Sequence, residues 1–284
     1  MAAPADDSPE ITIGAGRARI EPDRYSPGSF TLVVDGTPQS HVDLDDPTHL
    51  AFEYVRRIGN AIDLLPAGPI TALHLGAGAL TLARYVEATR PGSRQQVVEL
   101  ELGLVDLVRR ELPLPRGASI RIRYGDAREV MLKLPAGLRG TVDLLVVDVF
   151  GGSRIPAHVT SLEFYRAASE FLSPTGMLVV NSADGAGLHF ARGQASTVGT
   201  VFEHVVAVAD PATLKGRRFG NVVLVASQAP LPTDEMPRIY SSDPLPAKVV
   251  TGRELRDFVA GAAVVTDATA VPSPEPNRSL FGGR

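Results

Sequence analysis

From residue 70 onward, two apolar patterns alternate along the chain. Short runs of strand-forming residues, some of them wholly apolar, occupy 70–75, 95–100, 120–124, 142–148 and 177–181. Between and after them lie segments at 80–89, 104–112, 127–134, 162–171 and 187–198, where apolar positions recur every third or fourth residue. The first pattern predicts strands and the second helices. Unbroken runs such as 144–147 and 177–180 read as strands covered on both faces. Repeated strand–helix units predict a parallel sheet sandwiched between helices. Two last runs, 205–209 and 221–226, flank a turn-rich insert at 210–220 and predict a β–β pair that adds one antiparallel strand.

The first third of the chain reads differently. Two β-rich runs, 11–20 and 30–34, are separated by Pro22, Pro27 and Gly28. The second runs into Asp35-Gly36, a strong hairpin-turn dipeptide. Asp46-Pro47 predicts a helix start, with Asp46 as cap, over 48–64. Leu50, Tyr54, Ile58, Ile62 and Leu65 would lie near one of its faces. After Ser227 the chain turns rich in Pro, Ser and Asp, with one helical patch at 253–259. The stretches 1–10 and 271–284 are expected to be disordered tails. The expected units are therefore a tail (1–10), a β-rich unit with a linking helix (11–65), a Rossmann-like nucleotide-binding domain (66–227) and a C-terminal extension (228–284).

Composition narrows the chemistry. Among 284 residues, 44% are apolar, enough for a sizeable core, and the net charge is −4. A mildly acidic chain is poorly suited to sequence-independent binding of phosphate backbones, so no nucleic-acid partner is expected. The absence of cysteine removes disulfides, thiolate metal sites and thiol nucleophiles. The acidic start, MAAPADDSPE, has no basic-then-apolar pattern, so a secretory signal is not expected and the expected address is cytoplasmic. No apolar run reaches the roughly 18 residues of a membrane span.

Four constellations carry candidate chemistry. Gly76-Ala77-Gly78 lies between a strand and a helix, where glycines let backbone N–H groups approach a ligand. Glu99 ends the next strand, about twenty positions further on, the offset at which an acid accepts from ribose hydroxyls. Asp126, followed by Ala127, stands just after the third strand, where it can accept from the exocyclic amine of adenine, cap a helix, or do both. Asp148 ends the otherwise apolar fourth strand; an acid there needs a partner and is the candidate proton acceptor or cation holder. Asp143, at the other end of that strand, reads as structural. The third dinucleotide-loop glycine is replaced by Thr81, which favours an S-adenosylmethionine-type ligand over NAD. His74 reads as a core residue, while His41 and His49 are expected to border the pocket. No histidine shows metal-ligand spacing, so no metal site is expected, and Arg217-Arg218 reads as a solvated turn.

Together these residues form a known pattern. Residues 32–40, with Asp35-Gly36 and Gln39, resemble the N-terminal hairpin of spermidine synthases. Leu75-Gly76-Ala77-Gly78 resembles their glycine-rich loop, Val98-Glu99-Leu100-Glu101 their ribose element and Gly125-Asp126-Ala127 their adenine element. Residues 148–165 resemble their catalytic strand, gate loop and following helix. The resemblance implies a class I S-adenosylmethionine-dependent methyltransferase-like sheet with a small N-terminal β-hairpin domain. It implies aminopropyl transfer from decarboxylated S-adenosylmethionine to a diamine such as putrescine, without a metal, in a homo-oligomer (dimer or tetramer). Asp148 is then the catalytic base, and Gln39 and Tyr54 are candidate substrate-binding residues.

Two positions depart from that pattern. Ala79 stands where the family carries the acid that holds the donor's amine, and Gly151 stands for the second acid of its Asp-x-x-Asp. Each lost charge-assisted contact costs about ten- to a hundredfold in affinity. Glu53, Asp45, Asp46 and Asp184 are the candidate replacements. Small-molecule methyl transfer and a catalytically silent nucleotide-binding or assembly role remain open alternatives.

Overall fold

The computed structural model describes residues 10–276. The expected N-terminal tail, apart from Glu10, and the last residues of the expected C-terminal tail lie outside them. The N-terminal unit is a four-stranded antiparallel sheet in the order β1 (Ile11–Ile13), β2 (Gly16–Pro22), β3 (Ser29–Val34) and β4 (Thr37–Asp43). The first β-rich run is thus two strands. Asp35 and Gly36, both at positive φ (47° and 75°), make the tight turn that joins β3 to β4.

Helix α1 (Glu53–Asp63) begins later than the Asp46-Pro47 signal predicted. The Asp46 carboxylate accepts from Thr48 N–H at 3.0 Å and closes a local turn instead. The chain then passes through the extended Phe52 before turning helical.

The main body alternates as the apolar pattern predicts: β5 (Thr71–Leu75), α2 (Thr81–Thr89), β6 (Arg94–Glu99), α3 (Leu102–Glu111), β7 (Ser119–Tyr124), α4 (Ala127–Leu132), β8 (Val142–Val147), α5 (Leu162–Ser169), β9 (Leu172–Asp184) and α6 (His189–Val201). It closes with β10 (His204–Ala209), α7 (Pro211–Leu214) and β11 (Gly220–Ser227). The extension adds α8 (Met236–Ser242), β12 (Lys248–Val250) and α9 (Gly252–Val259). The sheet order is β12-β10-β11-β9-β8-β5-β6-β7. Strands β5 to β9 pair in parallel; β11 runs antiparallel to both β9 and β10. The eighth strand, β12, pairs antiparallel with β10 and comes from the Pro-rich extension, where no strand was expected.

Central strands are apolar on both faces because both are covered. Leu73, Leu75, Leu145 and Val147 pack under α4, α5 and α6, while Ala72, Leu144 and Val146 pack under α1 and α8. A third cluster joins the N-terminal sheet to α2 and α3 through Leu32, Leu80, Val97 and Leu107. The extension is anchored to α1 by Asp243, which binds Arg56 (2.8 Å) and Asn60 (3.1 Å).

Residues 271–276 correct the expectation of a disordered tail. Val271 is exposed, but Ser273 is fully buried, its N–H on the Ile155 carbonyl (3.1 Å) and its hydroxyl taking the Ile155 N–H (2.9 Å). Just upstream, Asp267 grips Arg128 through both oxygens (2.7 and 2.9 Å) and accepts from Ser161. The terminal segment is a strap over the loop that follows β8. Among the described residues, no helix is long and apolar enough to cross a membrane.

Candidate active site

The carboxyl ends of β5, β6, β7 and β8 meet along one edge of the sheet, the usual ligand edge of open α/β sheets. Backbone bonds continue past the strand ends there. Gly76 N–H reaches Val98, Gly125 N–H reaches Glu99 and Asp148 N–H reaches Leu75, each at 2.9 Å. The loops therefore start from fixed positions. Gly76 is required twice over: its φ is +93°, and a Cβ would come within 2.1 Å of the Asp148 carbonyl oxygen.

Glu99 spans the loops. Its Oε2 accepts from Ala77 N–H (2.9 Å) and its Oε1 from Glu101 N–H (3.0 Å). Each oxygen keeps a further lone pair for a donor from the cavity. Glu101 in turn accepts from Gly14 N–H (2.9 Å), which draws the β1–β2 turn toward the pocket. Asp126 has two occupations. Its Oδ1 caps α4 by accepting from Glu129 N–H (3.0 Å), and its Oδ2 lies 2.6 Å from Nε2 of His158.

Asp148 is half-buried at the end of β8. Burial pushes its carboxyl up to about 6, against the opposing pull of the Asn181 amide, which donates to Oδ1 at 2.8 Å. The carbonyl oxygen of that amide is buried without a donor. Tyr54 stays protonated, its hydroxyl raised well above the usual range by burial and then by the Asp148 charge. The same hydroxyl lies 3.4 Å from the Gln39 carbonyl.

Gly76, Ala77, Gly78, Glu99, Asp126, Ala127, Asp148, Gln39 and Tyr54 all border one cavity. Sequence reasoning missed His158 and Asn181. His158 reaches Asp126 only because the loop after β8 folds back, and no local spacing signals that. Asn181 carries the same signal as Asp148, a polar side chain ending a fully apolar run, and could have been found by it.

Other expectations are corrected. Ala79 does not border the cavity; its side chain is fully buried in the apolar cluster between α2, α3 and the N-terminal sheet. Gly151 does border it, in a tight turn closed by Gly151 N–H to Arg154 O at 2.8 Å. Of the candidate replacement acids, Glu53 is held by Arg57 (3.1 Å) and Arg218 (2.7 Å). Asp184 is buried, with one oxygen on Gly185 N–H (2.7 Å) and the other on Ala191 N–H (2.8 Å). Asp46 closes its own turn, and Asp45 lies beside Gly28 on the N-terminal sheet. Arg217 and Arg218 lie in the exposed turn expected of them, where Arg218 also pairs with Glu53 and Asp210. His41 and His49 stack edge to face at 5.8 Å away from the cavity lining. His74 is the buried core residue expected: it bonds Gln95 (3.0 Å), and burial lowers it to about 4, which keeps it neutral.

Strand order, the glycine turn and the row of strand-end carboxylates define a class I methyltransferase-like transferase fold. The comparisons with known proteins narrow this further. No family model matches the chain. A probable spermidine synthase from Corynebacterium glutamicum is 31% identical, and its crystal structure superposes with a TM-score of 0.84 over 91% of this chain and 96% of that one. The chain belongs to the spermidine synthase (polyamine aminopropyltransferase) family. The polyamine aminopropyltransferase of Chromobacterium violaceum is 30% identical over 146 residues, 51% of this chain and 54% of that protein. The chain thus spans about half the length of the curated relatives it matches. Human methyltransferase-like protein 13, solved in complex with SAH, is similar in fold alone: 16% identical, TM-score 0.55.

Proposed function

We propose that this chain transfers a group from an S-adenosylmethionine-derived nucleoside to a small amine. The observation that supports this best is the convergence of Glu99, Asp126 and Asp148 on one cavity above a glycine turn. The fit is chemical. Glu99 has spare lone pairs for two ribose hydroxyls, Asp126 can accept from the adenine amine, and the unpartnered Asn181 Oδ1 lies on the amide that holds Asp148. The donor supplies a carbon activated by a neighbouring sulfonium. Asp148 takes a proton from the acceptor's ammonium. The freed nitrogen lone pair then forms the new C–N bond as the C–S bond breaks, its electron pair staying on sulfur. A carboxyl held at about 6 is ionised at neutral pH yet basic enough to share in that proton transfer. The expected assembly is a homo-oligomer, dimer or tetramer, which light scattering measures.

A second reading is methyl transfer, which is supported by the likeness of the sheet to that of a methyltransferase-like protein solved with SAH. Calorimetry with S-adenosylmethionine, its decarboxylated form, methylthioadenosine and NAD separates the readings. Aminopropyl transfer expects the decarboxylated donor and methylthioadenosine to bind, and methyl transfer expects S-adenosylmethionine to bind best. Binding of NAD alone would sink both.

A further inference from the structure

Resting on the transferase reading above, we propose that the acceptor is an amine with a single cationic centre and an uncharged, largely apolar remainder. Among the described residues, four carboxylates border the cavity: Glu99, Glu101, Asp126 and Asp148. Sheet order divides them. Glu99 ends β6, and Glu101 and Asp126 follow β6 and β7, on one side of β5; Asp148 follows β8, on the other. The first three are engaged by backbone N–H groups or by His158 on the nucleoside side. Asp148 borders the remaining half with Tyr54, Val149, Phe150 and the uncharged Gln39.

The acids nearest that half along the chain do not border the cavity and are engaged elsewhere. Glu53 adjoins Tyr54 but is shared between two guanidinium groups, those of Arg57 and Arg218. Asp184, further along β9 from Asn181, has both oxygens on backbone N–H groups. The partner of Asp148 itself, Asn181, is neutral. One ammonium on the acceptor is therefore met by Asp148. A second, a few carbons away, would shed water against uncharged side chains without a counter-charge. An apolar remainder gains from the same surroundings. Gly151 is the position where a second acid would be accommodated: it borders the cavity, its φ is not positive, and a Cβ there would meet nothing closer than 3.9 Å.

The test uses the full chain saturated with methylthioadenosine and titrated with n-butylamine and 1,4-diaminobutane. The two amines should bind within about threefold of each other, because a charge-assisted contact worth about ten- to a hundredfold is missing for the second ammonium. Asp148→Asn should weaken both by about tenfold or more. Gly151→Asp should introduce a preference for the diamine of about tenfold. A diamine preference of that size in the wild type overturns the inference, as does failure of both amines to bind the nucleoside-loaded chain. If methylthioadenosine itself does not bind, the transferase reading falls first and the acceptor inference with it.

Discussion

Asp148 lies half-buried between two apolar chain neighbours, Val147 and Val149, with one hydrogen-bonding side-chain partner, Asn181. That combination sets two opposite pH dependences. Transfer needs the ionised carboxylate, so the rate at saturating substrates should fall about tenfold per pH unit below about 6. Stability moves the other way. Between about 4 and 6 the folded carboxyl keeps a proton that the unfolded chain has lost, so stability falls as pH rises through that window. The loss above it amounts to at most about 3 kcal/mol. Asp148→Asn should therefore melt higher than the wild type at pH 8, with the gap closed at pH 4, while transfer drops about a hundredfold or more. An unchanged rate would remove Asp148 from the proton step. Glu99 carries a different load, because it holds the Ala77 and Glu101 N–H groups. Glu99→Ala should weaken methylthioadenosine binding by about 1.5–3 kcal/mol, measured by calorimetry. It should also lower the melting temperature, since both donors lose their acceptor.

At the scale of elements, the turn from β5 into α2 shows why two neighbouring positions tolerate change so differently. Gly76 must pass beneath the Asp148 carbonyl, and Leu80 starts α2 in the left-handed region (φ 63°) while its side chain stays buried. Ala79 lies between them, facing inward. A sequence view sets Ala79 and Gly151 side by side as loop positions where an acid can be restored. The structure separates them. Ala79→Asp would bury a carboxylate in an apolar cluster and should cost about 3 kcal/mol or more in urea unfolding. Gly151→Asp projects from an open turn and should cost about 1 kcal/mol or less. Equal costs would show that the loop can turn residue 79 outward. Where an element began was also decided locally: Asp46 reads as a helix cap, but its carboxylate is consumed by Thr48 and the helix waits until Glu53.

At the scale of the molecule, the C-terminal segment controls the site from outside it. Asp267 holds Arg128 and Ser161, and the hydrogen bonds from these donors, Arg128 first, keep its carboxyl at about 2. Ser273 holds both backbone groups of Ile155, in the loop between Asp148 and His158. Deleting everything after residue 270 should lower the melting temperature by about 4 °C or more, because two or three buried hydrogen bonds are lost. It should also speed proteolytic cleavage within 149–160. A truncated chain that melts like the full one would show that the strap adds nothing.

The alternation of apolar runs and helical periods was sufficient to define the parallel core, because strands covered on both faces must be apolar throughout. The placement of the glycine turn, Glu99, Asp126 and Asp148 was legible for a related reason. Each lies at or just past the end of a predicted strand, and in this fold those ends share one edge. The rest depended on contacts between residues far apart in sequence. Nothing local marks 248–250 as a strand until β10 offers an edge, or shows that Ser273 will bury itself on Ile155. Nor does spacing reveal that His158 returns to Asp126, or that Arg57 and Arg218 take up Glu53. Local pattern determined the elements and the edge on which chemistry gathers. Tertiary packing decided which of the charges there are already spent, since a carboxylate's availability depends on neighbours that the chain brings in from elsewhere.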